Sequence, residues 1–202
     1  MKFTALAKAT LALGILTTGV LTTEAHSGHA KQNQKAVNAH DEEVLHRYYT
    51  GKKMEIKNIN ALRHGENNLR FKLDVFFVQE KRDKHNILYT VGGVTKTNKT
   101  SGFVSAPRLN VTKENGEDAF VKGYPYYIKK EEISLKELDF KLRKHLIGKY
   151  GLYKTISKDG RVKISMKDGS FYNLDLRSKL DFKYMGEVLD SKQIKDIEVN
   201  LK

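Results

Sequence analysis

The chain has 202 residues and no cysteine, and its 37 Lys and Arg residues against 24 Asp and Glu residues give a net charge of +13. Without cysteine no disulfide can form, which excludes the disulfide-stapled class of small secreted animal domains. The positive charge calls for an acidic partner, such as nucleic acid, anionic lipid, a sulfated or sialylated glycan, or an acidic protein. Charge alone does not choose among these, and lysines that only aid solubility remain an open alternative.

The first thirty residues have the order of a secretory signal, with a charged start, an apolar stretch and a small-residue cleavage site. Lys2 and Lys8 form the start, the apolar stretch covers residues 9–21, and Ala30 ends the segment. Two threonines and a glycine interrupt the stretch, whereas a membrane span needs about 20 predominantly apolar residues. We therefore predict export, cleavage near Ala30 and no integral membrane insertion.

Cleavage at this point would remove three charged residues, which are Lys2, Lys8 and Glu24. The remaining chain, residues 31–202, would carry a net charge of +12. It is long enough for one large or two small hydrophobic cores.

Residues 31–40 are polar and predict a loose leader, and residues 41–49 predict a short helix with Val44, Leu45, Tyr48 and Tyr49 on one face. After this helix the apolar residues alternate in the way that is typical of strands. Strands are expected near residues 54–59, 69–78, 87–91, 103–111 and 119–128. Short strands at this spacing predict a small barrel or sandwich, with an oligosaccharide/oligonucleotide-binding (OB) barrel as one option.

The helix expected over residues 134–150 has the clearest boundaries. Ser134 and Glu137 have the spacing of a capping box, and Gly151 stands where a left-handed residue ends a helix. One apolar stripe is formed by Leu135, Leu138, Leu142, Leu146 and Tyr150, while Lys136, Lys141, Arg143 and Lys144 are expected to face elsewhere. We interpret this stripe as core rather than as a groove for a partner.

A hairpin and a returning strand are expected after this helix. The Asp168-Gly169 pair lies between alternating strands, which is a strong hairpin signal, and residues 194–201 predict the last strand. Helix, hairpin and returning strand together predict an α+β unit with the helix laid across a sheet. The expected organisation is a signal peptide over residues 1–30, a barrel domain over residues 31–130 and a helix-and-sheet domain over residues 131–202.

No residue pattern indicates catalysis. The sequence has no Gly-x-Ser-x-Gly elbow, phosphate-binding glycine loop or zinc-protease motif, and no cofactor or metal is expected. His145 is interpreted as a packed or surface histidine, and Asp139 as the ion-pair partner of Arg143 four residues on. The basic residues are spread widely without an aromatic nucleic-acid signature, so nucleic acid is not an expected partner.

Around the long helix the sequence closely resembles the C-terminal signature of the staphylococcal and streptococcal superantigen toxins. Eight residues stand at its spacing, namely Lys130, Ile133, Leu138, Asp139, Arg143, Leu146, Leu152 and Tyr153. A second signature of the family, Tyr-Gly-Gly-Val-Thr, is present over residues 91–95 with valine in place of the tyrosine. The stretches 46–49, 73–76 and 105–107 are similar to the superantigen-like branch from Staphylococcus aureus, and the resemblance covers nearly the whole chain.

The resemblance implies an N-terminal OB-fold barrel and a C-terminal β-grasp domain. It also implies a secreted immune-evasion factor without catalysis, whose partners are host extracellular proteins. The implied partners are immunoglobulins (immunoglobulin G among them), complement or coagulation components, and leukocyte receptors. Relatives have additional strand sequence between the stretches like 69–72 and 73–77, which are fused here, so a shortened barrel is expected.

Two departures from the family pattern concern ligands of the β-grasp domain. Relatives that bind sialylated glycans use a threonine and an arginine where this chain has Asn173 and Lys183, and lysine lacks the bidentate fork of arginine. Sialylated glycans are therefore not expected partners. Some superantigens bind zinc with a His-x-Asp pair where this chain has Asn173 and Asp175, so zinc is not expected either.

Basic loops supply the candidate contact residues for a host ligand. These are Lys81, Arg82 and Lys84 in the barrel and Arg177, Lys179, Lys183 and Tyr184 in the β-grasp domain. The leading hypothesis is that the protein masks host defence proteins, with its charge speeding encounter with acidic surfaces. Two alternatives remain open, a T-cell superantigen that crosslinks class II molecules with T-cell receptors and a charge-driven toxin that binds heparin or anionic lipid.

Overall fold

A computed structural model describes residues 34–62, 70–81, 87–99, 101–115, 118–156 and 158–202. The chain divides into two units, residues 1–37 and residues 38–202. The described part of the first unit, residues 34–37, is the first turn of a helix. The predicted signal peptide over residues 1–30 lies outside the described residues. None of the helices in the described part of the chain combines the length and apolar character that a membrane crossing needs.

The described residues form two α-helices, ten strands and two short 3₁₀ helices. The α-helices are α1 (Gln34–Thr50) and α2 (Leu135–Tyr150). The strands are β1 (Lys53–Leu62), β2 (Arg70–Lys81), β3 (Ile87–Lys96), β4 (Arg108–Asn115), β5 (Asp118–Pro125), β6 (Glu132–Ser134), β7 (Gly160–Met166), β8 (Phe171–Asp175), β9 (Val188–Asp190) and β10 (Ile194–Leu201). The 3₁₀ helices cover Phe182–Tyr184 and Ser191–Gln193.

Helix α1 begins earlier than the sequence predicts. The polar residues 34–40, expected to be a loose leader, are already helical. Leu45, Tyr48 and Tyr49 are buried as predicted, but Val44 is 37% exposed, so the apolar face is narrower than expected. This helix therefore contributes mainly two tyrosine rings to the core.

The strands form three sheets. The order is β1-β2-β3 in the first, β5-β4-β10-β7-β8 in the second and β6-β9 in the third. Strand β2 runs without a break through Lys72 and Leu73, where relatives are expected to have additional sequence. An OB barrel ordinarily has five strands. Among the described residues the N-terminal sheet has three, as expected for a shortened barrel.

Strands β4 and β5 belong to the C-terminal sheet, which differs from the prediction that residues 31–130 form one barrel domain. Strand β4 pairs in parallel with β10, with Leu109 opposite Ile197 and Val111 opposite Val199. All four of these side chains are buried. The physical reason is that the apolar face of β4 completes the sheet under helix α2, a pairing between distant segments that local patterns do not reveal.

Helix α2 has the predicted ends. The Ser134 hydroxyl accepts a hydrogen bond from the Glu137 amide at 3.2 Å, and Gly151 ends the helix with a φ of 76°. The Glu137 carboxylate departs from the capping-box expectation, since it contacts Lys130 and Lys141. Two residues expected to face away from the apolar stripe, Lys136 and Arg143, are fully buried.

The predicted hairpin connects β7 and β8. The Asp168 carboxylate accepts hydrogen bonds from the Ser170 amide at 2.9 Å and the Ser170 hydroxyl at 2.6 Å. Gly169 has a φ of 90°, which glycine adopts without steric cost. The Asp168-Gly169 pair therefore forms the predicted turn, because the aspartate accepts the hydrogen bonds and the glycine adopts the positive φ.

The hydrophobic core lies mainly between helix α2 and the five-stranded sheet. Its fully buried side chains include Leu109, Leu135, Leu138, Phe140, Leu142, Leu146, Leu152, Val162, Ile164, Ile197, Val199 and Leu201. The interpretation of the α2 stripe as core is confirmed for its leucines.

Candidate functional site

The eight residues of the C-terminal signature are buried, which makes them structural rather than available to a ligand. Four are apolar core residues, namely Ile133, Leu138, Leu146 and Leu152. The others, Lys130, Asp139, Arg143 and Tyr153, form two polar networks.

The first network surrounds Arg143. Its Nε donates to the Asp139 carboxylate at 2.7 Å, which confirms the predicted ion pair. Its Nη1 donates to the Tyr153 hydroxyl at 2.8 Å and to the Ser178 carbonyl at 2.8 Å. The Tyr49 hydroxyl donates to the other Asp139 oxygen at 2.9 Å. The network thus joins helix α1, helix α2 and the segment after β8.

The charge states in this network are fixed by burial and by pairing. Burial, the largest single effect, would lower the pKa of Arg143, but Asp139, Tyr49 and Tyr153 together outweigh it and raise that pKa. Burial, followed by the Asp139 charge, raises the pKa of Tyr49. Burial also raises the pKa of Tyr153 to about 12, although Arg143 opposes the shift. Asp139 is therefore a buried ion-pair partner, as the sequence predicted, rather than an acid or base for chemistry.

The second network surrounds Lys130. Its Nζ lies 3.0 Å from the Glu137 carboxylate and 3.8 Å from the Asp74 carboxylate, and it also contacts Glu55. Burial alone would lower the pKa of Lys130, but Glu137 and Glu55 together raise it. This lysine therefore links helix α2 to strands β1 and β2.

The candidate contact residues of the β-grasp part lie after strand β8. Arg177 makes a two-pronged pair with Asp175, with Nε to Oδ1 at 3.0 Å and Nη2 to Oδ2 at 2.8 Å. Lys183 lies 3.5 Å from Asp181 and 4.8 Å from the centre of the Tyr184 ring. The structure thus places Arg177 and Lys183 on the surface, each beside an acidic residue.

Lys179 points differently from the other candidates. Its Nζ lies 4.6 Å from the centre of the Tyr48 ring of helix α1. Arg82 and Lys84 lie outside the described residues. Lys81 is the last residue of β2, and the structure describes its backbone but not its side chain.

Two exposed aromatic rings in this region, Phe171 and Phe182, were not among the contact residues that the sequence suggested. Phe171 is 56% exposed and Phe182 is 52% exposed. Lys163 Nζ lies 5.6 Å from the Phe171 ring centre, and the Tyr172 and Tyr184 rings meet edge to face at 6.1 Å. Strand alternation could have revealed Phe171, since it places this ring on the face of β8 opposite the buried Leu174.

We name this surface the β8 edge, because β8 ends the five-stranded sheet within the described residues. It groups Lys163 and Phe171, which share one face of the sheet, Tyr172 and Tyr184, which meet on the other face, and Arg177, Phe182 and Lys183, which lie on the surface after β8. Aromatic rings and arginine are enriched in the contacts that dominate binding between proteins. The β8 edge therefore has the chemistry of a protein-binding surface with positive charge.

A second exposed aromatic pair joins Phe103, before strand β4, with Tyr127, after strand β5. Phe103 and Tyr127 are 62% and 57% exposed, their ring centres are 4.7 Å apart, and Lys129 Nζ lies 5.4 Å from the Phe103 ring centre. Hydrogen bonds from the Val104 amide to the Ile128 carbonyl, and from the Ile128 amide to the Ser105 carbonyl, hold the two segments together at 2.8 Å each. This pair provides a matched surface against which the β8 edge can be tested.

His145 and Asp175, which the sequence raised in connection with catalysis and zinc, both have side-chain partners. His145 Nε2 lies 2.7 Å from the Tyr124 hydroxyl, and burial followed by the charge of Lys149 lowers its pKa. The half-buried His145 is thus a packed histidine, as predicted. In the described part of the chain, no three His, Cys, Asp or Glu side chains are grouped to hold a metal ion. Asp175, on the strand where some superantigens bind zinc, is paired with Arg177.

Comparison with known proteins identifies two domain types. The OB-fold domain of staphylococcal superantigen-like proteins matches residues 68–98, and the β-grasp domain of staphylococcal and streptococcal toxins matches residues 107–201. These matches confirm the predicted α+β fold class with an OB-fold followed by a β-grasp domain. The β-grasp match includes strands β4 and β5, in agreement with their place in the C-terminal sheet.

Individual relatives extend this similarity over the whole chain. The chain is 76% identical to staphylococcal superantigen-like 10 of Staphylococcus aureus strain Newman, with all of both chains covered. A crystal structure of staphylococcal superantigen-like protein 10 has a TM-score of 0.68 at 70% identity, covering 80% of this chain and 98% of the other. A crystal structure of staphylococcal superantigen-like protein 5 in complex with sialyl-Lewis X has a TM-score of 0.64 at 33% identity, covering 80% of this chain and 97% of the other.

The comparison also shows how much shorter this chain is than staphylococcal superantigen-like 10. The comparison with staphylococcal superantigen-like 10 extends over 227 residues, whereas this chain has 202. At least 25 positions of that relative therefore have no counterpart here. The OB-fold match is also short, at residues 68–98.

Proposed function

The chain belongs to the staphylococcal superantigen-like family, and we propose that it is a secreted immune-evasion factor that binds and masks a host defence protein without catalysis. Residues 1–30 would direct its export. The observation that carries the proposal is the β8 edge, where the exposed Phe171 ring lies beside Lys163 and the Tyr184 ring beside Lys183 at the end of the sheet. The relatives support the general class of function, and the particular host protein is left to experiment.

The mechanism is steric masking. Positive charge raises the rate of encounter with an acidic host surface, because complementary charges steer diffusing proteins together. The rings of Phe171 and Phe182 would then be buried against the partner, since burial of aromatic surface supplies most of the energy of such contacts. Arg177 and Lys183 already have acidic neighbours in Asp175 and Asp181, so they would orient the partner more than strengthen its binding.

Sialylated glycans are not proposed as ligands, although a relative has been crystallised with sialyl-Lewis X. Asn173 and Lys183 stand where glycan-binding relatives are expected to have threonine and arginine. Lysine cannot make the bidentate contact to a carboxylate that arginine makes. A sialyl-Lewis X titration of the purified protein should give no binding, and saturable binding would overturn this part of the proposal.

The general proposal is tested by capture from human plasma. The protein without its leader, residues 31–202, is immobilised, and bound proteins are eluted with stepwise increases in salt. We expect one or two host proteins, immunoglobulin G among the candidates, to be retained until high salt, because buried aromatic contacts resist screening. A broad eluate at low salt with little preference among polyanions would favour the charge-driven alternative.

The superantigen alternative has a separate test. Peripheral lymphocytes are incubated with the same protein, and proliferation is measured against a known T-cell mitogen. We expect no proliferation above background. Strong proliferation would replace masking by crosslinking of class II molecules with T-cell receptors as the proposed function.

A further inference from the structure

The two faces of the N-terminal sheet β1-β2-β3 differ in what covers them. Residues that lie directly opposite each other on neighbouring strands share a face. One face carries Phe76 and Val78, which are 2% and 0% exposed, and the Phe76 ring lies 5.6 Å from that of Phe140 in helix α2. On this side the sheet is part of the main core.

The other face is apolar and partly exposed. The pairing places Met54 opposite Phe77 and Phe77 opposite Val91, and likewise Ile56 opposite Val75 and Val75 opposite Val94. Tyr89 joins them opposite Gln79. We name this surface the open face, with the members Met54, Ile56, Val75, Phe77, Tyr89, Val91 and Val94.

Four members of the open face have substantial exposure. Met54 is 39% exposed, Ile56 45%, Tyr89 42% and Val94 38%. Together these fractions leave roughly 350 Å² of large apolar side chain in contact with water, an area typical of the largest patch on a monomeric protein. Phe77 and Val91 are half-buried and Val75 is 8% exposed, so the exposed area lies mainly along strands β1 and β3.

The open face is explained by the missing part of the barrel. A five-stranded OB barrel closes its sheet on itself, so that one face of every strand is interior. Among the described residues this sheet has three strands, and at least 25 positions of a 76% identical relative have no counterpart in this chain. Within the described residues, no further strand of this sheet covers a face that is suited to a barrel interior.

We propose that the open face is a contact surface between two copies of this chain, packed face to face about a two-fold axis. None of its seven members is charged, so an acidic partner would gain little from it. Lys96, near one end of the face, lies 3.8 Å from Glu132. The surface that matches an uncharged apolar face is a second face of the same kind, which every other copy supplies in an isologous contact.

The area predicts a weak dimer rather than an obligate one. Two copies would bury roughly 700 Å² from the four most exposed side chains, which is below the roughly 1,200 Å² at which specific stable interfaces begin and is typical of weak, transient contacts. The expected behaviour is a monomer–dimer equilibrium that depends on protein concentration. Because both copies carry the same positive charge, added salt should screen their repulsion and strengthen the dimer.

The test is sedimentation equilibrium of residues 31–202 over a series of protein concentrations at low and high salt. We expect a dimer whose association constant rises with salt. Ile56→Lys and Val94→Lys each place a charge in the contact and should weaken association at least about tenfold. Val121→Lys is the matched control, because Val121 is 64% exposed on strand β5, outside this sheet, and should leave association unchanged.

Thermal unfolding of every variant shows whether the substitutions act on the contact or on the fold. The substituted side chains are already partly exposed, so unfolding midpoints measured at low protein concentration should stay close to that of the unmodified protein. The proposal is overturned if the protein sediments as a monomer at every concentration and salt. It is equally overturned if both open-face variants still dimerise or if Val121→Lys loses the dimer, since another surface would then be responsible.

Discussion

The C-terminal region and the N-terminal sheet of this protein differ in how far their side chains are buried. In the C-terminal region, helix α2 and five strands enclose a core, and even charged signature residues such as Arg143 are fully buried. The N-terminal sheet is covered on the side of Phe76 and exposed on the side of Ile56. The difference teaches that one region is stabilised by its own core, whereas the other depends on packing against it.

The comparison also separates two roles that family residues can have. The signature residues Asp139, Arg143 and Tyr153 hold helix α2 against its neighbours and leave no surface for a ligand. The exposed rings of Phe171 and Phe182 contribute little to the core but are available to a partner. A family signature therefore identifies the scaffold, and the binding surface has to be sought where side chains are exposed.

The largest expected effect on stability comes from Arg143→Met. The substitution leaves the Asp139 carboxylate buried without its cation, and breaking a buried ion pair in this way costs about 3–5 kcal/mol of unfolding free energy. Urea unfolding followed by circular dichroism measures the loss. Arg177→Met removes an equally well-aligned but exposed pair with Asp175 and should leave the unfolding midpoint unchanged. Equal losses in the two variants would contradict the distinction between scaffold and surface.

The two faces of the N-terminal sheet are compared by truncating one valine on each. Val78→Ala removes buried methyl groups next to the main core and should lower the unfolding free energy by about 2 kcal/mol. Val94→Ala, on the open face, should change it by less than about 0.5 kcal/mol at a protein concentration where the monomer predominates. Similar losses at the two positions would mean that the open face is covered within the monomer.

Two glycines of the C-terminal region test the end of helix α2. At Gly151, with a φ of 76°, a β-carbon would lie 2.2 Å from the Thr155 hydroxyl, so Gly151→Ala should cost about 1–2 kcal/mol. At Gly148, inside the helix, nothing lies within 4 Å, and Gly148→Ala should stabilise by about 0.5–1 kcal/mol. Thermal unfolding of both variants measures the two changes in stability. If both substitutions stabilise the protein, or both destabilise it, the assignment of Gly151 as the helix cap is contradicted.

The smallest expected effect is a pH dependence carried by His145. Its pKa is lowered by burial and then by Lys149, so the unfolded chain takes up a proton near pH 6.5 while the folded protein does not. Folding is therefore favoured by this residue above about pH 6.5, and the contribution is lost as the pH falls through the lowered pKa. His145→Gln should make the decline in unfolding free energy between about pH 7 and pH 5 shallower. An unchanged slope would assign the decline to other groups, such as His46, whose pKa is also lowered by burial.

Local patterns were sufficient where a few neighbouring residues decide the structure. Ser134, Gly151 and the Asp168-Gly169 pair predicted a helix and a hairpin that the structure confirms, because caps and tight turns depend on residues close in sequence. The signature around helix α2 predicted the family and the fold class, which the relatives confirm.

Sequence patterns failed where contacts between segments distant in the sequence determine the structure. The parallel pairing of β4 with β10 joins residues that are far apart in the sequence, so β4 and β5 were predicted to lie in the barrel. Lys136 and Arg143 were expected to face away from the core, but Tyr48 and Asp139 provide partners for them inside it. Alternation along β8 could have revealed the exposed ring of Phe171, whereas that of Phe182 lies in a short 3₁₀ helix whose exposure depends on the surrounding fold.

The most direct test of the central claim, that the β8 edge binds the host protein, is a titration of the captured plasma protein with two matched double variants. Phe171→Ala with Phe182→Ala truncates two exposed rings of the β8 edge, and Phe103→Ala with Tyr127→Ala truncates two exposed rings elsewhere. We predict that the first pair weakens binding at least about tenfold and that the second leaves it unchanged. Unchanged binding in the β8 edge variant would contradict the claim, and lost binding in the Phe103 and Tyr127 variant would assign the contact to that surface instead.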